Sequence, residues 1–215
     1  MALNSEMRSR IDARHAEVLG QPPRLAPLPR ETVGEEVRAT TTALLRSIVG
    51  PEAPMPDLPV SAIPEIMFTL CRFPSLWQSI MDVTTQIQGP ACTVEPRDRK
   101  LAILRTGWLC QAPYEFGEHV DQARRMGFDE ADIDRIVEGS SAEGWNAHDR
   151  AILALVEELH TNAMVSDATW STLALRLDER QLFELLVIVG QFTATAYFQN
   201  ALRLRLEGGK GLAAR

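Results

Sequence analysis

The sequence lacks the short motifs that mark several large classes of enzyme. It has no HExxH pair of histidines, no glycine-rich phosphate loop and no GxSxG serine motif. These absences leave a zinc protease, a nucleotide-binding enzyme and an α/β-hydrolase without support. The alternation of apolar and polar residues that is typical of strands is also missing. Helical periodicity and a few polar side chains therefore carry most of the information about fold and function.

Long apolar runs and an excess of positive charge are missing as well. No uninterrupted run approaches the roughly 18 residues of a membrane span, and the first 20 residues hold no apolar segment typical of a secretory signal. The net charge of −7 disfavours nucleic acid or a membrane as a partner. With 215 residues, of which 45% are hydrophobic, we expect a soluble, cytoplasmic protein whose single domain buries a sizeable core.

Cysteine is scarce, and its spacing offers no redox pair. The three cysteines are Cys71, Cys92 and Cys110, and no CxxC occurs. An odd number of widely spaced cysteines is typical of a reducing compartment rather than of a disulfide framework. The sequence therefore predicts free thiols.

Prolines are concentrated in the first quarter of the chain. Residues 21–30, QPPRLAPLPR, contain four prolines and predict an extended linker. We interpret residues 1–60 as a proline-rich N-terminal arm, which either wraps a neighbouring subunit or is a loosely packed tail. Residues 61–207 then form a helical domain, and residues 208–215 form a tail.

The rest of the chain has helical periodicity, with apolar residues three and four positions apart. Asp129, Asn146, Ser166 and Asp178 are each placed to cap a helix. The last helix, which we expect to end at the glycines at 208 and 209, is apolar nearly all round and should be buried in the core or at a subunit interface. The predicted fold class is all-α, with about eight helices and a central antiparallel helix pair.

The central helix pair, within residues 96–127, carries the strongest chemical signal. Pro96 and Pro113 suit the first positions of its two helices. Glu115 and His119 are four residues apart on the second helix, so they share a face. A carboxylate beside an imidazole raises the pKa of the imidazole and fixes its tautomer, which gives a general acid/base pair in which either residue can be the base. A weak surface ion pair is the alternative.

Five segments between residues 60 and 207 together resemble a known superfamily. In order they are RDRKLAILRTGWLCQAPYEFGEHV, RRMGFDEADIDRI, GW-x3-DRAILALVEELH, SDATWSTL and QLFELLVIVGQFTATAYFQNAL. They resemble the carboxymuconolactone decarboxylase and alkylhydroperoxidase D (AhpD-like) superfamily, nearest to the branch with a YEW-x2-H signature. The resemblance implies an all-helical fold, assembly as a homotrimer or hexamer, and an active site at the helix pair near a subunit boundary.

The site positions of the superfamily are only partly matched. His119 corresponds to the family histidine, but Ala112 and Glu115 occupy the positions of the two redox cysteines, and Lys100 replaces the usual upstream glutamate. A disulfide peroxidase mechanism would therefore lack both of its thiols. The resemblance agrees better with the decarboxylase branch, which keeps the histidine without a redox pair.

Five further side chains are candidates for substrate contacts. Tyr114 can donate a hydrogen bond to a substrate carbonyl or developing oxyanion, or pack at the start of its helix. Arg105 and Lys100 can bind a substrate carboxylate. For Lys100 a solvated helix face is favoured, unless its side chain turns inward where the family glutamate would lie. Cys110 can cycle through a sulfenic acid with an external thiol, and Trp108 is a candidate for the pocket wall or the core.

These residues support three hypotheses of function. The first is a carboxymuconolactone decarboxylase-like lyase without cofactor or metal, in which Glu115 and His119 transfer protons on a small carbonyl, carboxylate or lactone compound. The second is an AhpD-like peroxidase, a peroxiredoxin-type oxidoreductase that uses Cys110 alone. The third is a non-catalytic oligomeric binding protein. The expected partners are a small-molecule substrate and further copies of the chain, in a homotrimer, hexamer or dimer.

Overall fold

Helices make up 70% of the computed structural model, and the residues that it describes (5–50, 52–55, 57–207 and 210–214) contain no strand. The described α-helices are α1 (Ser5–Val18), α2 (Arg30–Val49), α3 (Glu65–Leu70), α4 (Pro74–Gln88), α5 (Pro96–Leu109), α6 (Pro113–Arg125), α7 (Glu130–Glu138), α8 (Ala147–Asn162), α9 (Asp167–Leu173) and α10 (Glu179–Leu202). Two 3-10 helices span Val60–Ala62 and Gly211–Ala213. The all-α class is confirmed, and the described residues form ten α-helices where about eight were expected.

Four helices begin at the predicted capping residues. The side chains of Asp129, Asn146, Ser166 and Asp178 each accept a hydrogen bond from the backbone N–H three residues further on. This bond satisfies one of the N–H groups that a helix start leaves without an intrahelical partner. The caps of α7 and α10 are reciprocal capping boxes. These predictions are confirmed.

The last helix ends earlier than the sequence pattern predicts. Arg203, just after the end of α10, takes a left-handed conformation with φ 57°, and the N–H of Leu204 donates to the carbonyl of Gln199 at 3.0 Å. This arrangement closes the C-terminus of a helix. The predicted end at the glycines at 208 and 209 is wrong, since α10 stops at Leu202; the two glycines themselves lie outside the described residues.

Helix α10 has one buried side and one exposed side. Among the described helices it is the one long and apolar enough to cross a membrane by length and composition, but its buried side includes Leu185, Ile188, Val189, Phe192 and Gln199. The opposite side exposes an apolar surface, which we call the α10 stripe. It consists of Phe183, Gly190, Ala194, Tyr197 and Ala201, with Phe183 and Tyr197 67% and 66% exposed.

The chain divides into two compact units. The first comprises Met1–Pro22 and Val94–Arg215, and the second comprises Pro23–Thr93. The second unit packs α2, α3 and α4 together and buries Ile63 and Phe68 completely. The predicted boundary between residues 60 and 61 falls inside this unit, while α1 belongs to the first. The division into an arm, a domain and a tail stays a prediction.

Helix α5 is the centre of the first unit. It packs against α6, α7, α8 and α10, and every residue from Lys100 to Gly107 is buried. A helix surrounded on all sides buries apolar residues all round, as Leu101 and Leu104 show. Charged side chains on such a helix require polar partners on its neighbours, because an unpaired charge in the interior is costly. The candidate site consists of one such charged side chain of α5 and its polar partners.

Candidate active site

A tight turn folds α6 back against α5. Gln111 adopts a left-handed conformation with φ 47°, and the N–H of Ala112 donates to the carbonyl of Gly107 at 3.0 Å. Pro113 then occupies the start of α6. The two helices pack closely at Gly107, where an added methyl group would be in van der Waals contact with the backbone of Phe116, at 3.4 Å from its nitrogen. The turn thus places the polar faces of the two helices against each other.

Five polar side chains on α5, α6 and α10 form one connected group, which we call the buried network. Nε2 of His119 lies 2.9 Å from Oε1 of Glu115, and Nδ1 lies 2.8 Å from Nζ of Lys100. Gln199 donates from Nε2 to the second Glu115 oxygen at 2.8 Å. Lys100 also donates to Oε1 of Gln122 at 2.9 Å. The predicted Glu115–His119 pair is therefore present. Its contacts extend to Lys100 and Gln122 on one side and to Gln199 on the other.

The central members of the network are almost inaccessible to solvent. Lys100, Glu115, His119 and Gln199 are 5%, 4%, 7% and 3% exposed. The ring of Phe192 meets the His119 ring edge-on, with centroids 5.2 Å apart. Charges and hydrogen bonds interact more strongly in such a water-poor environment than at the surface. The Glu115–His119 contact is thus not a surface ion pair, and Lys100 does not lie on a solvated face.

The charge states of the network follow from its burial. Burial is the main cause that lowers the pKa of Lys100 to about 8, while the charge of Glu115 acts in the opposite direction. Burial likewise lowers the pKa of His119, with Lys100 contributing to the decrease and Glu115 opposing it. At neutral pH the imidazole is therefore neutral and the amine is mostly protonated. The ammonium group then donates to Nδ1, which leaves the proton of the neutral imidazole on Nε2, 2.9 Å from Oε1 of Glu115. This contact is close without being a hydrogen bond, since Oε1 of Glu115 is buried without a hydrogen-bond partner.

Tyr114 lies beside Glu115 in the first turn of α6 and is buried. Burial, followed by the charges of Glu118, Glu115 and Glu207, raises the pKa of the Tyr114 phenol. The hydroxyl group therefore stays protonated and keeps its capacity to donate. Among the described residues, no hydrogen bond links this hydroxyl to the buried network.

The structure does not bring Arg105 to the Glu115–His119 pair. Its guanidinium donates to the carbonyls of Ile136 and Val137, at 3.0 and 2.7 Å, near the end of α7. The same group forms an ion pair of 2.8 Å with Glu157 on α8. Five residues correspond to about 140° around a helix, so Arg105 and Lys100 point in different directions from α5. The predicted shared anion site thus retains only Lys100.

Cys110 and Trp108 lie near the turn between α5 and α6. Cys110 is the only cysteine of the first unit, and burial raises the pKa of its thiol although a hydrogen bond with Thr193 lowers it. The Trp108 ring packs against that of Phe116 with centroids 5.3 Å apart. Trp108 also lines a pocket of about 340 Å³ between the turn, α1 and Leu212. Its lining residues do not include members of the buried network.

Sequence reasoning did not identify Gln122, Phe192 and Gln199. Gln122 is three residues after His119 and therefore shares its face, which is a local signal. Gln199 and Phe192 reach the network from α10, whose position depends on tertiary packing. Glu115 and His119 are the only metal-ligand types in the network, and the described residues contain no group of three such side chains at metal-binding distance.

A second buried acid–imidazole pair lies elsewhere in the first unit. Oδ2 of Asp98 on α5 is 2.7 Å from Nε2 of His148 on α8, and both side chains are 6% exposed. Nδ1 of His148 is buried without a hydrogen-bond partner. This pair connects α5 to α8, just as the Lys100–His119 contact connects α5 to α6. It provides a matched structural control for the candidate site.

Comparisons with known proteins bear on the fold. No protein-family model matches the sequence, and no curated protein matches it. Among solved structures, the apo debrominase Bmp8 aligns with 16% identity and a TM-score of 0.66, covering 86% of this chain and 92% of Bmp8.

Two further solved structures align over much of their own length. A peroxidase-related protein from Ralstonia eutropha with an alkylhydroperoxidase AhpD core aligns with 15% identity and a TM-score of 0.65, covering 89% of this chain and 93% of that one. A protein of unknown function from Agrobacterium tumefaciens, named as a candidate antioxidant defence protein AhpD, aligns with 19% identity and a TM-score of 0.57, covering 61% and 90%. This chain therefore has the AhpD-like all-helical fold, as its resemblance to the carboxymuconolactone decarboxylase and alkylhydroperoxidase D superfamily predicted.

Proposed function

We propose that this protein is a cofactor-independent enzyme of the carboxymuconolactone decarboxylase-like type, which transfers protons on a small carbonyl, carboxylate or lactone compound. The observation that carries the proposal is the continuous contact from Lys100 through His119 to Glu115, buried in the first unit. Three ionisable groups that are shielded from solvent are costly to maintain. Such an arrangement is typical of functional sites, where burial and neighbouring charges tune proton affinity.

His119 is the proton carrier in this proposal. Its pKa is lowered by burial, so the imidazole is neutral at physiological pH and can accept a proton as a base. The Glu115 carboxylate stabilises the imidazolium that forms, and Gln199 holds Glu115 in place at 2.8 Å. The Lys100 ammonium supplies the positive charge that attracts a substrate carboxylate or stabilises a developing oxyanion. Tyr114, a protonated phenol nearby, is the proposed carbonyl donor.

The network is shielded from solvent in the structure. Each ionisable member of the network is less than a tenth exposed, so a substrate must displace part of the covering structure to reach it. Closure after binding would exclude water and strengthen the electrostatic interactions with the reacting atoms. A peroxidase reaction at Cys110 has less support, because burial raises the pKa of this thiol and thereby lowers its thiolate fraction.

A panel of related compounds allows proton transfer to be measured before the natural substrate is identified. We would incubate the protein in D2O with small 2-oxo, 3-oxo and lactone acids and follow hydrogen exchange and decarboxylation by proton NMR. Loss of a general base typically costs 100-fold to 10,000-fold in rate. We therefore expect Glu115→Gln and His119→Asn each to lower the rate by about 100-fold or more.

His148→Asn is the matched control. It removes a second buried imidazole from the same unit, also paired with a carboxylate, that has no contact with Lys100. We expect this variant to lose stability but to keep turnover within a few-fold of the wild-type value. Full activity of folded His119→Asn and Glu115→Gln would contradict the proposal, and so would equal losses in His119→Asn and His148→Asn. Alkylation of Cys110 should leave the activity in place, whereas the peroxidase hypothesis requires its loss.

The proposal includes self-association through the α10 stripe. Two aromatic residues of the stripe, Phe183 and Tyr197, are two-thirds exposed, and small residues lie between them. Gly190 has nothing within 4 Å of an added methyl group, so no contact inside the described subunit explains why the position is glycine. Small residues let the backbones of two helices approach closely, while flanking aromatic residues bury area. A second copy of the chain in a dimer, trimer or hexamer is the proposed occupant.

A further inference from the structure

Lysine is almost absent from this chain. Of its 22 basic residues, only Lys100 and Lys210 are lysines, and the others are arginines. An exposed positive charge is supplied equally well by arginine, as the surface of this protein shows. The two side chains differ in one chemical respect, because an amine can lose its proton and become a nucleophile whereas a guanidinium cannot. One of the two lysines is exposed, and the other is the centre of the buried network.

The contacts of Lys100 favour a reactive amine over a structural ion pair. Nζ lies 2.8 Å from Nδ1 of His119 and 2.9 Å from Oε1 of Gln122, and neither partner is a carboxylate. Among the described residues, no carboxylate oxygen comes within ion-pair distance of Nζ. Burial, together with the charges of Arg99 and Arg125, lowers the pKa of Lys100 to about 8 against the opposing charge of Glu115. Relative to a lysine of ordinary pKa, the neutral fraction at pH 7 is larger by about two orders of magnitude.

The order of the three groups is that of an activated nucleophile. Nucleophile, base and carboxylate follow one another, with Lys100 next to Nδ1 of His119 and Glu115 next to Nε2. In this arrangement the imidazole takes the proton of the nucleophile, and the carboxylate orients the ring and stabilises its charged form. Glu115 and His119 thus serve an amine in the way that similar pairs serve a hydroxyl group or a thiol.

We propose that Lys100 is the nucleophile of this site and forms an imine with a ketone or aldehyde group of an oxo acid. This inference rests on the proposed function, and it specifies the substrate class and the covalent step. The charges of Arg99 and Arg125 act on Lys100, and their positive field favours a substrate that carries its own carboxylate. A 3-oxo acid is the substrate whose decarboxylation an imine favours most, because its carboxylate is attached to the carbon next to the carbonyl.

The reaction balances without any external oxidant or reductant. His119 accepts a proton from the Lys100 ammonium, and Nζ attacks the carbonyl carbon. The carbon–oxygen bond breaks, water leaves with the protons that the imidazolium and the amine supply, and a protonated imine forms. The bond to the carboxylate then breaks, its electron pair moves into the imine to give an enamine, and carbon dioxide leaves. His119, which is neutral again after the loss of water, takes up a proton from solvent and passes it to the enamine carbon. Water then hydrolyses the protonated imine to release the ketone and the Lys100 ammonium.

Reductive trapping tests the covalent step in the wild-type protein. We would incubate the full-length chain at pH 8 with acetoacetate or with pyruvate, each with sodium cyanoborohydride, and locate the reduced adduct by intact mass and peptide mapping. We expect the adduct on Lys100 to form at least ten times faster than on Lys210, although Lys210 is exposed. This comparison needs no variant, so it does not depend on the folding of one. Labelling of Lys210 or of the N-terminal amine with none on Lys100 would overturn the inference.

Variants separate this inference from the proposed function. Lys210→Arg should keep the adduct, and Lys100→Arg and Lys100→Met should lose it. His119→Asn should slow its formation by at least tenfold. If proton exchange depends on His119 and Glu115 while no oxo acid is trapped on Lys100, the imine is refuted and the proposed function stands. If Lys100 is trapped while His119→Asn and Glu115→Gln leave exchange and decarboxylation unchanged, the acid/base roles in the proposed function are refuted and the imine stands.

Discussion

Replacing Lys100 by methionine should change how the stability of the protein depends on pH. The pKa of Lys100 is lowered from 10.5 to about 8 by burial, by Arg99 and by Arg125, against the opposing charge of Glu115. One pKa unit corresponds to about 1.4 kcal/mol, so the buried ammonium lowers the free energy of unfolding by about 3 kcal/mol at neutral pH. Between the two pKa values the unfolded chain binds more protons than the native chain, and stability rises with pH.

About 2 kcal/mol of this cost should be recovered between pH 7 and about pH 9.5. Methionine carries no proton, so Lys100→Met removes this increase. The variant also loses two hydrogen bonds, to His119 and Gln122, each worth about 1 kcal/mol. We therefore expect a net stabilisation of about 1 kcal/mol at pH 7, which turns into a net destabilisation near pH 9.5.

Urea unfolding of both proteins at pH 7 and at about pH 9.5 measures this difference. The other groups that titrate in this range are common to both proteins, so the change in the difference between the two free energies belongs to Lys100. Lys210→Met is the control, since Lys210 is exposed, and its curve should run parallel to that of the wild type. If the curves of Lys100→Met and the wild type are also parallel, Lys100 is not the buried ammonium described above.

Three glycine substitutions test other parts of the structure. Gly139 has φ +105°, and a methyl group added there would overlap the Arg105 guanidinium. Gly139→Ala should therefore lower the free energy of unfolding by about 3 kcal/mol in urea titrations. A loss below about 0.5 kcal/mol would contradict this packing. Gly117→Ala places a methyl group 3.1 Å from the backbone of Gly211. It should lower the free energy of unfolding by about 1–3 kcal/mol and increase proteolytic cleavage after residue 202. An unchanged digestion pattern would show that the C-terminal segment does not cover α6. Gly190→Arg has open space around the new side chain, so it should keep the helical circular-dichroism spectrum of the wild type while lowering the sedimentation coefficient to that of a monomer. An oligomer that persists would place the interface elsewhere.

The sequence predicts features whose geometry is local. A spacing of four residues on a helix fixes the contact of Glu115 and His119 whatever the helix packs against. The helix starts at Asp129 and Asp178 are equally local, since a side chain and the N–H three residues ahead decide them. The end of α10 was not predictable in this way, because an arginine rather than a glycine takes the left-handed position.

The sequence does not determine in which direction each side chain of α5 points. This helix is buried on all sides, so its apolar residues define no single inward face and periodicity cannot assign directions to Lys100 and Arg105. Sequence reasoning groups the two side chains at one anion site, but they bind different neighbouring helices. Gln199 is 84 residues away from Glu115, and its role depends on how α10 lies against α6. A solvated face was the favoured prediction for Lys100, and the family glutamate at this position was the one signal that its side chain could turn inward.

Polar side chains fasten helix α5 to its neighbours, and this has a consequence for evolution. Asp98 binds α8, Lys100 binds α6, and Arg105 binds the end of α7. The contacts fix the rotation and the axial position of the helix by directional bonds, so the aliphatic residues between them have only to fill volume. Aliphatic side chains of similar size exchange at little cost. The aliphatic positions of α5 can then change while the backbone, and with it the buried network, stays in place.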